Sequence, residues 1–490
     1  MSQKKLNILF AASEVVPFAK TGGLADVAGA LPKAIKALGH NIIVVMPRYY
    51  KIDKNKLTKL DAPLGVPMGA MGEFWAGVYM TTLPNSDVPI FFIDYENYFG
   101  RSGLYEDYNE SYRDNDNRFI FFSKAALQLC KMLHFTPDII HANDWHTAAM
   151  PLLSRTRFVH DFAHAASVLT IHNMQHQGNF YKGLMDVMEV GWDHFNPHEF
   201  ESLDQVNLLK GGIAHADAVT TVSKKYAQEI QTHEFGFGLE HHMQAHADKI
   251  FGILNGVDYD EWDPSVDKLI AKQYDVKDMS GKLACKRDIQ KHFNLELRDD
   301  VPLIGFVGRF AEQKGIGLIA GAINGILDHD VQIVMLGAGE KWAEGYFSNV
   351  AYHRKNFGLH VGYSDALAHQ IEAGSDLFLM PSLFEPCGLN QIYSLRYGTL
   401  PIVRATGGLD DTIVNFDENH KHGNGFKFYE ASQEALYYTV LWALETFSKE
   451  KKAFTDMQKR AMKEHYGWDD AAKGYETVYN YVLDKHRSKK

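Results

Sequence analysis

The feature that most constrains the fold of this chain is a repeated alternation of short strand-like runs and helical stretches. Residues 7–12 and 41–45 are predicted as buried strands, and a glycine-containing loop and a helix over residues 25–38 lie between them. Two further strands are predicted at residues 138–141 and 166–171. Apolar strands separated by helices are typical of parallel sheets covered on both faces. The first half of the chain is therefore predicted to be α/β.

A second series of the same kind occupies the other half. Each of its runs is short and apolar, and leads through a glycine- or proline-containing turn into a helical stretch. The predicted strands are residues 302–308, 331–336, 377–380 and 400–403. Two series in one chain predict two doubly wound parallel-sheet domains.

The length of 490 residues also favours two domains, because one hydrophobic core rarely grows that large. We place the first domain at residues 1–254 and the second at residues 255–468, since Asn255-Gly256 is a turn signal. Residues 469–490 are predicted as a closing helix. The polar, aromatic-rich stretch at residues 68–117 fits the alternation poorly and is predicted to be an insertion or a long loop.

Composition excludes several classes of partner. The formal net charge of −11 argues against nucleic acid or an anionic membrane surface as the main partner. No apolar run approaches membrane-spanning length. The cysteines are few and scattered, which suggests neither a disulfide framework nor a cysteine metal site, so a cytoplasmic location is expected. They are Cys130, Cys285 and Cys387.

The loop after the first strand, Lys20-Thr21-Gly22-Gly23, has the composition of an anion site. Glycines let backbone N–H groups approach a phosphate, the following helix N-terminus adds its dipole, and Lys20 adds a charge. A plain glycine-rich turn is the alternative. The loop lacks the spacing of a dinucleotide fingerprint and of a P-loop, so both of those are disfavoured.

Two cations follow the first strand of the second series. Arg309 comes directly after the strand, and Lys314 lies where the next helix begins. Such a pair suits a diphosphate leaving group. The alternative is two solvated surface cations.

The segment Phe384-Glu-Pro-Cys-Gly-Leu-Asn-Gln391 follows a later strand of the same series and opens a helix. Backbone N–H groups at Cys387, Gly388 and Leu389 beside the Glu385 carboxylate would suit sugar hydroxyls or a positive charge developing at an anomeric carbon. The alternative is that Glu385 only caps the helix.

Two polar residues close strands of the first series. His172 ends one of these strands, and Asp144 follows its neighbour. A single histidine at a strand end is more often structural than functional, but two polar strand ends in one domain favour a site.

The sequence does not favour a metal site. The triplets Asp114-Asn-Asp116 and Asp258-Tyr-Asp260 match the Asp-x-Asp pattern, but neither clearly follows a strand, and no His-Glu-x-x-His is present. Because Arg309 and Lys314 can neutralise a leaving group, we predict that the reaction uses no metal and no other cofactor.

Taken together and in this order, these segments resemble the bacterial glycogen synthases and plant starch synthases. The resemblance runs from the N-terminal Ser-Glu-Val-Val-Pro-Phe-Ala-Lys-Thr-Gly-Gly segment to Gly467-Trp468. Between these ends lie short matches, each weak alone but specific as a set. They are His172-Asn173, Asn255-Gly-Val-Asp258, Gln313-Lys-Gly315, Phe384-Glu-Pro-Cys-Gly388 and Tyr397-Gly-Thr-Leu-Pro401.

The resemblance implies a GT-B architecture, in which two Rossmann-like domains face each other across a cleft and a C-terminal helix crosses back to the first domain. It implies transfer of glucose from ADP-glucose to the non-reducing end of an α-1,4-glucan, with retention at the anomeric carbon and without a metal. The expected partners are thus a nucleotide-sugar donor and a glucan or maltooligosaccharide acceptor.

The resemblance also implies a role for each matching residue. The diphosphate would be held by Arg309 and Lys314, and the donor would also meet Lys20, Gly22 and Gly23. The transferred glucose would meet Glu385, His172, Asn255 and the backbone of Cys387, Gly388 and Leu389. Asp144 would lie near the acceptor side. Asn390 replaces the commoner threonine at the helix start expected to face the β-phosphate, which leaves donor preference open.

Two other functions stay open: another GT-B enzyme that uses UDP-glucose, and an inactive scaffold that binds glucan. A third, a nicotinamide dehydrogenase, is disfavoured because the chain lacks the dinucleotide-binding fingerprint. Within the transfer mechanism, same-face attack is preferred over a covalent Glu385 intermediate, although both would retain configuration.

Overall fold

The computed structural model describes residues 5–108 and 110–488. The chain divides into two compact units. The first contains the described residues up to Val222, the segment Ala227–Gly256 and the residues from Trp468 onward. The second contains Ser223–Tyr226 and Val257–Gly467.

The first unit is built on one large sheet. Seven neighbouring strands of this sheet are parallel to one another. In spatial order they are Ile250–Gly252, Ala218–Thr221, Ala166–Ile171, Ile139–Asn143, Asn7–Ala11, Asn41–Pro47 and Pro89–Asp94. The central strands are buried on both faces, which is why their sequences are mostly apolar. The four strands predicted in this half are confirmed.

The edge of this sheet corrects one prediction. Residues 68–117 are not an irregular insertion, because Glu73–Thr82 and Pro89–Asp94 extend the sheet. The first of these is antiparallel to the second and also pairs with Thr58–Lys59 and Leu64–Pro67. An antiparallel strand commonly buries side chains on one face only, so its polar and apolar residues mix and hide the signal of a buried strand.

Helices and smaller strands complete this unit. The helices are Gly23–Ala37, Glu96–Phe99, Asn115–Met132, Asp144–Thr147, Met150–Leu153, Val159–Phe162, Leu184–Met188, Leu208–His215, Glu240–Ala245 and Trp468–Ser488. A small sheet orders Asn179–Tyr181, Gln205–Asn207 and Glu201–Ser202, and a hairpin joins Glu106–Asp107 to Glu110–Ser111. Short 3₁₀ turns lie at Lys54–Lys56, Gly69–Met71, Trp192–His194 and Ala247–Lys249. The helix Lys224–Glu229 starts in the segment that belongs to the second unit.

The C-terminal helix Trp468–Ser488 packs within the first unit. Tyr475 and Tyr479 are fully buried, and the Tyr479 hydroxyl lies 2.7 Å from Nδ1 of His141 on a central strand. Glu476 Oε1 lies 2.8 Å from His40 Nε2. The C-terminal helix is therefore part of the core of the first unit, together with the N-terminal strands.

The second unit has a six-stranded sheet in which all strand pairs are parallel. Its order is Phe357–Val361, Gln332–Gly337, Leu303–Val307, Leu377–Met380, Leu400–Arg404 and Phe426–Phe428. The four strands predicted in this half are confirmed.

Helices surround this sheet, and a continuous apolar core lies between them and the strands. They are Ser280–His292, Ile316–Leu327, Lys341–His353, Asp365–Gly374, Asn390–Arg396, Gly407–Thr412, Gln433–Lys449 and Lys451–Ala461, with a 3₁₀ turn at Glu312–Lys314.

Candidate functional site

Each sheet has one switch point, where strands are added on either side of a central pair, and several of the predicted polar residues follow these strands. In the first unit the chain builds outward from Asn7–Ala11 on one side and later from Ile139–Asn143 on the other. In the second unit the corresponding neighbours are Leu303–Val307 and Leu377–Met380. Loops diverge at the carboxyl ends of such strand pairs and leave a crevice, which is where open α/β sheets bind ligands.

The Lys20-Thr21-Gly22-Gly23 loop follows the strand at the first of these points. Gly22 precedes the helix Gly23–Ala37 in extended conformation. The backbone N–H groups of Thr21 and Gly22 donate to the carboxylate of Glu14, which is buried. These two backbone N–H groups are therefore already bound to a carboxylate of the protein itself.

Space beside this loop is open. A Cβ added at Gly22 or at Gly23 would meet no heavy atom within 4 Å. Lys20 is exposed, and its Nζ lies 2.7 Å from Asp26 Oδ1. Packing therefore does not explain the two glycines, whereas close approach of a ligand to the backbone would.

Asp144 and His172 meet directly in the same unit. The backbone N–H of His172 donates to Asp144 Oδ1 at 2.7 Å. Asp144 adopts φ of 54°, in the left-handed region. Burial raises the pKa of its carboxyl to about 7, the N–H groups of His172 and Asn173 oppose that rise, and the charge of Glu14 adds to it.

The His172 side chain is held in one tautomer. The amide of Asn143 donates to the Ala11 carbonyl at 3.1 Å, so its oxygen faces His172 Nε2, 2.9 Å away. Burial lowers the pKa of His172 to about 3, so the ring is neutral at neutral pH and carries its proton on Nε2. Its Nδ1 is buried with no hydrogen-bond partner among the described residues. This nitrogen can accept a hydrogen bond from a ligand hydroxyl.

Asn255 of the first unit also carries an unsatisfied acceptor. It is buried, and its Oδ1 has no hydrogen-bond partner in the described part of the chain. Buried polar atoms are rarely left without a partner, so each such atom calls for an explanation.

The second unit contains a pocket at its own switch point. Lys314 and Glu385 form an ion pair in its wall, with Nζ and Oε2 2.6 Å apart. Ser382 Oγ donates to the same oxygen at 3.0 Å. The sequence analysis assigned Lys314 to a diphosphate and Glu385 to a sugar, and the structure shows that the two groups are direct partners.

The other predicted residues of this unit border the same region. Gly388, Leu389 and Asn390 line the pocket, and Asn390 also donates to the Val307 carbonyl at 2.9 Å. Arg309 is exposed and donates to Gln313 Oε1 at 3.2 Å. Cys387 is buried in the turn. The structure thus places Lys314, Glu385, Gly388, Leu389 and Asn390 around one pocket of the second unit, and in the first unit it joins Asp144 to His172.

The turn that carries Glu385 is fixed by a pair of glycines that sequence reasoning missed. The N–H of Gly408 donates to the Glu385 carbonyl at 3.1 Å. A Cβ at Gly407 would lie 2.0 Å from that carbonyl oxygen, and one at Gly408 would lie 1.8 Å from the carbonyl oxygen of Cys387. Only glycine permits this approach. A signal existed, because Thr-Gly-Gly-Leu occurs both here and at residues 21–24, each time at a helix start.

Glu14 and Ser382 were also missed. Each stands near a strand end beside a predicted residue, but a single glutamate or serine in a loop carries no pattern of its own. Their partners, Thr21 and Glu385, are seven and three residues away along the chain. Spacing alone does not show that such pairs face each other.

The Asp-x-Asp triplets are engaged otherwise. Asp114 accepts two hydrogen bonds from Arg101, at 2.7 and 2.6 Å. Asp258 Oδ1 accepts the backbone N–H of Asp260 at 2.9 Å, which is a local turn contact.

Within the described ranges, no helix is both long enough and apolar enough to cross a membrane.

Comparisons with known proteins match both units. A family model described as the starch synthase catalytic domain matches residues 7–245, and one described as glycosyl transferases group 1 matches residues 288–461. Glycogen synthase 1 of Geobacter metallireducens is 54% identical, with 99% of this chain and 98% of that protein covered. Glycogen synthase 1 of Geobacter sulfurreducens is also 54% identical and covers 98% of this chain and 97% of its own.

A solved structure agrees. The catalytic domain of starch synthase IV from Arabidopsis thaliana, bound to ADP and acarbose, superimposes with a TM-score of 0.89 at 31% identity. The match covers 98% of this chain and all of that one. The predicted fold class, α/β with two Rossmann-like parallel-sheet domains of the GT-B type, is confirmed.

Proposed function

The chain belongs to the family of bacterial glycogen synthases and starch synthases, and on this premise we propose that it transfers glucose from ADP-glucose to the non-reducing end of an α-1,4-glucan. It is a glucosyltransferase, as predicted. The observation that carries the proposal is the pocket of the second unit, where a buried carboxylate and an ammonium group meet at the switch point of the sheet.

Support for an adenine nucleotide comes from the starch synthase relative, whose structure holds ADP. ADP is the group that leaves when glucose is transferred from ADP-glucose. The match of this chain to that protein extends over both units. We therefore propose ADP-glucose as donor, and the preference over UDP-glucose is what the first experiment measures.

The leaving diphosphate gains negative charge as the glycosidic bond breaks. Lys314 lines the pocket, and Arg309 follows the strand that borders it. Fixed cations of this kind can each contribute about 3–4 kcal/mol to the transition state in a site that excludes water. We propose that these two side chains neutralise the leaving group and that no metal or other cofactor takes part in the transfer.

The glucosyl group gains positive charge in the same step. Glu385 is buried, and Lys314 and Ser382 fix one of its oxygens. The backbone of Cys387, Gly388 and Leu389 runs beside it. We assign these groups to the glucose ring, and we propose same-face attack with retention. A glucosyl group trapped on Glu385 would contradict that choice.

Groups of the first unit also take part in the proposal. The unpartnered Nδ1 of His172 and Oδ1 of Asn255 are acceptors suited to glucose hydroxyls. Asp144 is assigned to the acceptor side. Lys20, Gly22 and Gly23 are assigned to the donor, because the space beside the two glycines is open to a ligand.

Cytoplasmic location remains part of the proposal. Among the described residues the cysteines form no disulfide, and all three are buried. A reducing compartment suits such a protein.

The deciding experiment is nucleotide release from each donor. We expect rapid release of ADP from ADP-glucose only when a maltooligosaccharide is present, together with a product one glucose longer that an α-1,4-specific hydrolase degrades. Faster release of UDP from UDP-glucose would overturn the donor assignment. Glucan binding without nucleotide release from either donor would favour the scaffold.

A further inference from the structure

A cluster of metal-ligating side chains lies outside the residues assigned above. His194 ends the 3₁₀ turn Trp192–His194, Glu199 lies in the loop that follows, and His215 is the last residue of the helix Leu208–His215. One ligand atom from each lies within 4.8 Å of the others. All three residues belong to the first unit.

The three groups converge on one point. Glu199 Oε2 lies 2.5 Å from His194 Nδ1 and 2.7 Å from His215 Nε2. The two imidazole rings are 5.2 Å apart at 81°, so their nitrogen-bearing edges turn toward the same carboxylate. The side chains are 25%, 26% and 17% exposed for His194, Glu199 and His215, so a small ion can reach them.

The loop that presents Glu199 is fixed in place. Phe200 is fully buried, and its ring stacks on His215 with centroids 5.9 Å apart and 22° between the planes. A Cβ on Gly211 would lie 2.1 Å from that ring, so the missing side chain lets Phe200 pack closely on the helix. The Phe200 N–H donates to the His194 carbonyl at 3.3 Å. Because these contacts already hold the loop, a ligand that binds Glu199 would not need to order it.

An arginine near this cluster has partners of its own. The nearby Arg155 is already bound to the Asp217 carboxylate and the His215 carbonyl.

We propose that His194, Glu199 and His215 form a zinc site. Two imidazole nitrogens and one carboxylate oxygen are ligands that Zn²⁺ binds at about 2.0–2.2 Å, with water completing the tetrahedron. The ion would enter between the ring nitrogens and the carboxylate and replace their direct hydrogen bonds. Its role is structural, because it ties residues 192–199 to the helix Leu208–His215 and touches none of the residues assigned to glucose transfer.

The test is zinc binding by the full chain after removal of metal with a chelator and without nucleotide. Titration with zinc chloride, followed by calorimetry, should give one strong site per chain. Glu199→Gln and His194→Gln should each weaken that site at least about tenfold, because even groups that only support a ligand cost 10–100-fold when they are lost. His198→Gln is the matched control, since this exposed histidine lies in the same loop and should bind zinc as the original chain does.

Cobalt gives a second readout. The Co²⁺-loaded chain and its His198→Gln variant should show the visible absorption bands of a tetrahedral site, and Glu199→Gln should lose them. Failure of the original chain to take up zinc would overturn the proposal and leave a hydrogen-bonded triad. Unchanged binding in Glu199→Gln and His194→Gln would overturn it as well. Circular dichroism verifies that each variant is folded. If only one of Glu199→Gln and His194→Gln folds, the zinc affinity of that variant alone decides the test.

Discussion

At the scale of single residues, the site depends on protonation states that burial sets. Asp144 and His172 share a backbone hydrogen bond, yet burial moves their pKa values in opposite directions, to about 7 and about 3. In both cases burial disfavours the charged form. A neutral His172 can then accept a hydrogen bond through Nδ1, which a protonated ring could not do.

Asp144→Asn tests the raised pKa. Asparagine tolerates the left-handed backbone and can accept the same N–H groups, but it never ionises. Because the pKa of Asp144 is raised by folding, its ionisation destabilises the native chain as pH rises from about 4 to about 7. We expect the variant to be more stable than the original by up to about 4 kcal/mol at pH 8, and by less than half of that at pH 5. Urea unfolding at pH 5 and pH 8 measures the free energy of unfolding of both chains. An equal difference between variant and original at the two pH values would contradict the prediction.

Glu385→Gln tests the carboxylate of the pocket. Glutamine keeps the volume and can still accept from Lys314 and Ser382, so we expect folding to survive. Loss of the negative charge should lower kcat by about 100- to 1,000-fold. The control is Glu372→Gln, another buried glutamate of the second unit, whose pKa is raised by burial and which is assigned no part in the transfer. The measurement is the initial rate of nucleotide release. If Glu385→Gln turns over nearly as fast as the original chain, the carboxylate has no part in the mechanism.

At the scale of elements, two Thr-Gly-Gly-Leu segments serve different purposes. At residues 406–409 the glycines are required by packing, because carbonyl oxygens of the Glu385 turn lie where their Cβ atoms would be. At residues 21–24 a Cβ added to either glycine would meet no heavy atom within 4 Å. The same Thr-Gly-Gly-Leu sequence therefore permits a tight turn contact in the second unit and leaves space beside the two glycines in the first unit.

Gly23→Ala separates these purposes at the helix Gly23–Ala37. Alanine fits without a clash and restricts the unfolded chain, so stability should stay equal or rise by about 0.4–1 kcal/mol. If the donor approaches this backbone, the added methyl group should lower kcat/KM for ADP-glucose at least about tenfold.

Gly345→Ala is the control for that experiment. It is an exposed helical glycine of the second unit whose added Cβ also meets nothing within 4 Å. We expect the same effect on stability and no effect on kcat/KM. Equal activities of the two variants would show that no ligand comes close to Gly23.

At the scale of the whole molecule, the two ends of the sequence share one core. The helix Trp468–Ser488 buries Tyr475, Tyr479 and Val482 completely within the first unit. Burying one large apolar side chain contributes about 1.5–3 kcal/mol. The fold of the first unit is therefore incomplete until the last residues have been added.

A chain that stops at residue 467 tests this dependence. It should lose several kcal/mol in the first unit and leave the second unit unaffected, because Tyr479 would no longer reach His141. Hydrogen exchange read by peptide should show faster exchange in the strands of the first unit only. The full chain is the control. Unchanged exchange around His141 in the shorter chain would contradict the expectation.

The sequence by itself determined the fold class, the eight strands predicted in the two series, and the loops that carry polar residues. The reason is that strands of a parallel sheet are buried on both faces, so their apolar runs are visible in the letters. It did not reveal the antiparallel edge Glu73–Thr82, because a half-buried strand has a mixed pattern. The family resemblance added the residues of the site, whose roles remain proposals.

Only the tertiary structure decided which groups are partners. It pairs Lys314 with Glu385, places Glu14 at the Gly22 backbone, and brings Glu199 between His194 and His215. Most of these contacts join residues on different strands, helices and loops, and all depend on how the backbone turns between them. Pairing of this kind follows from three-dimensional distance, which a linear pattern of residue types does not encode.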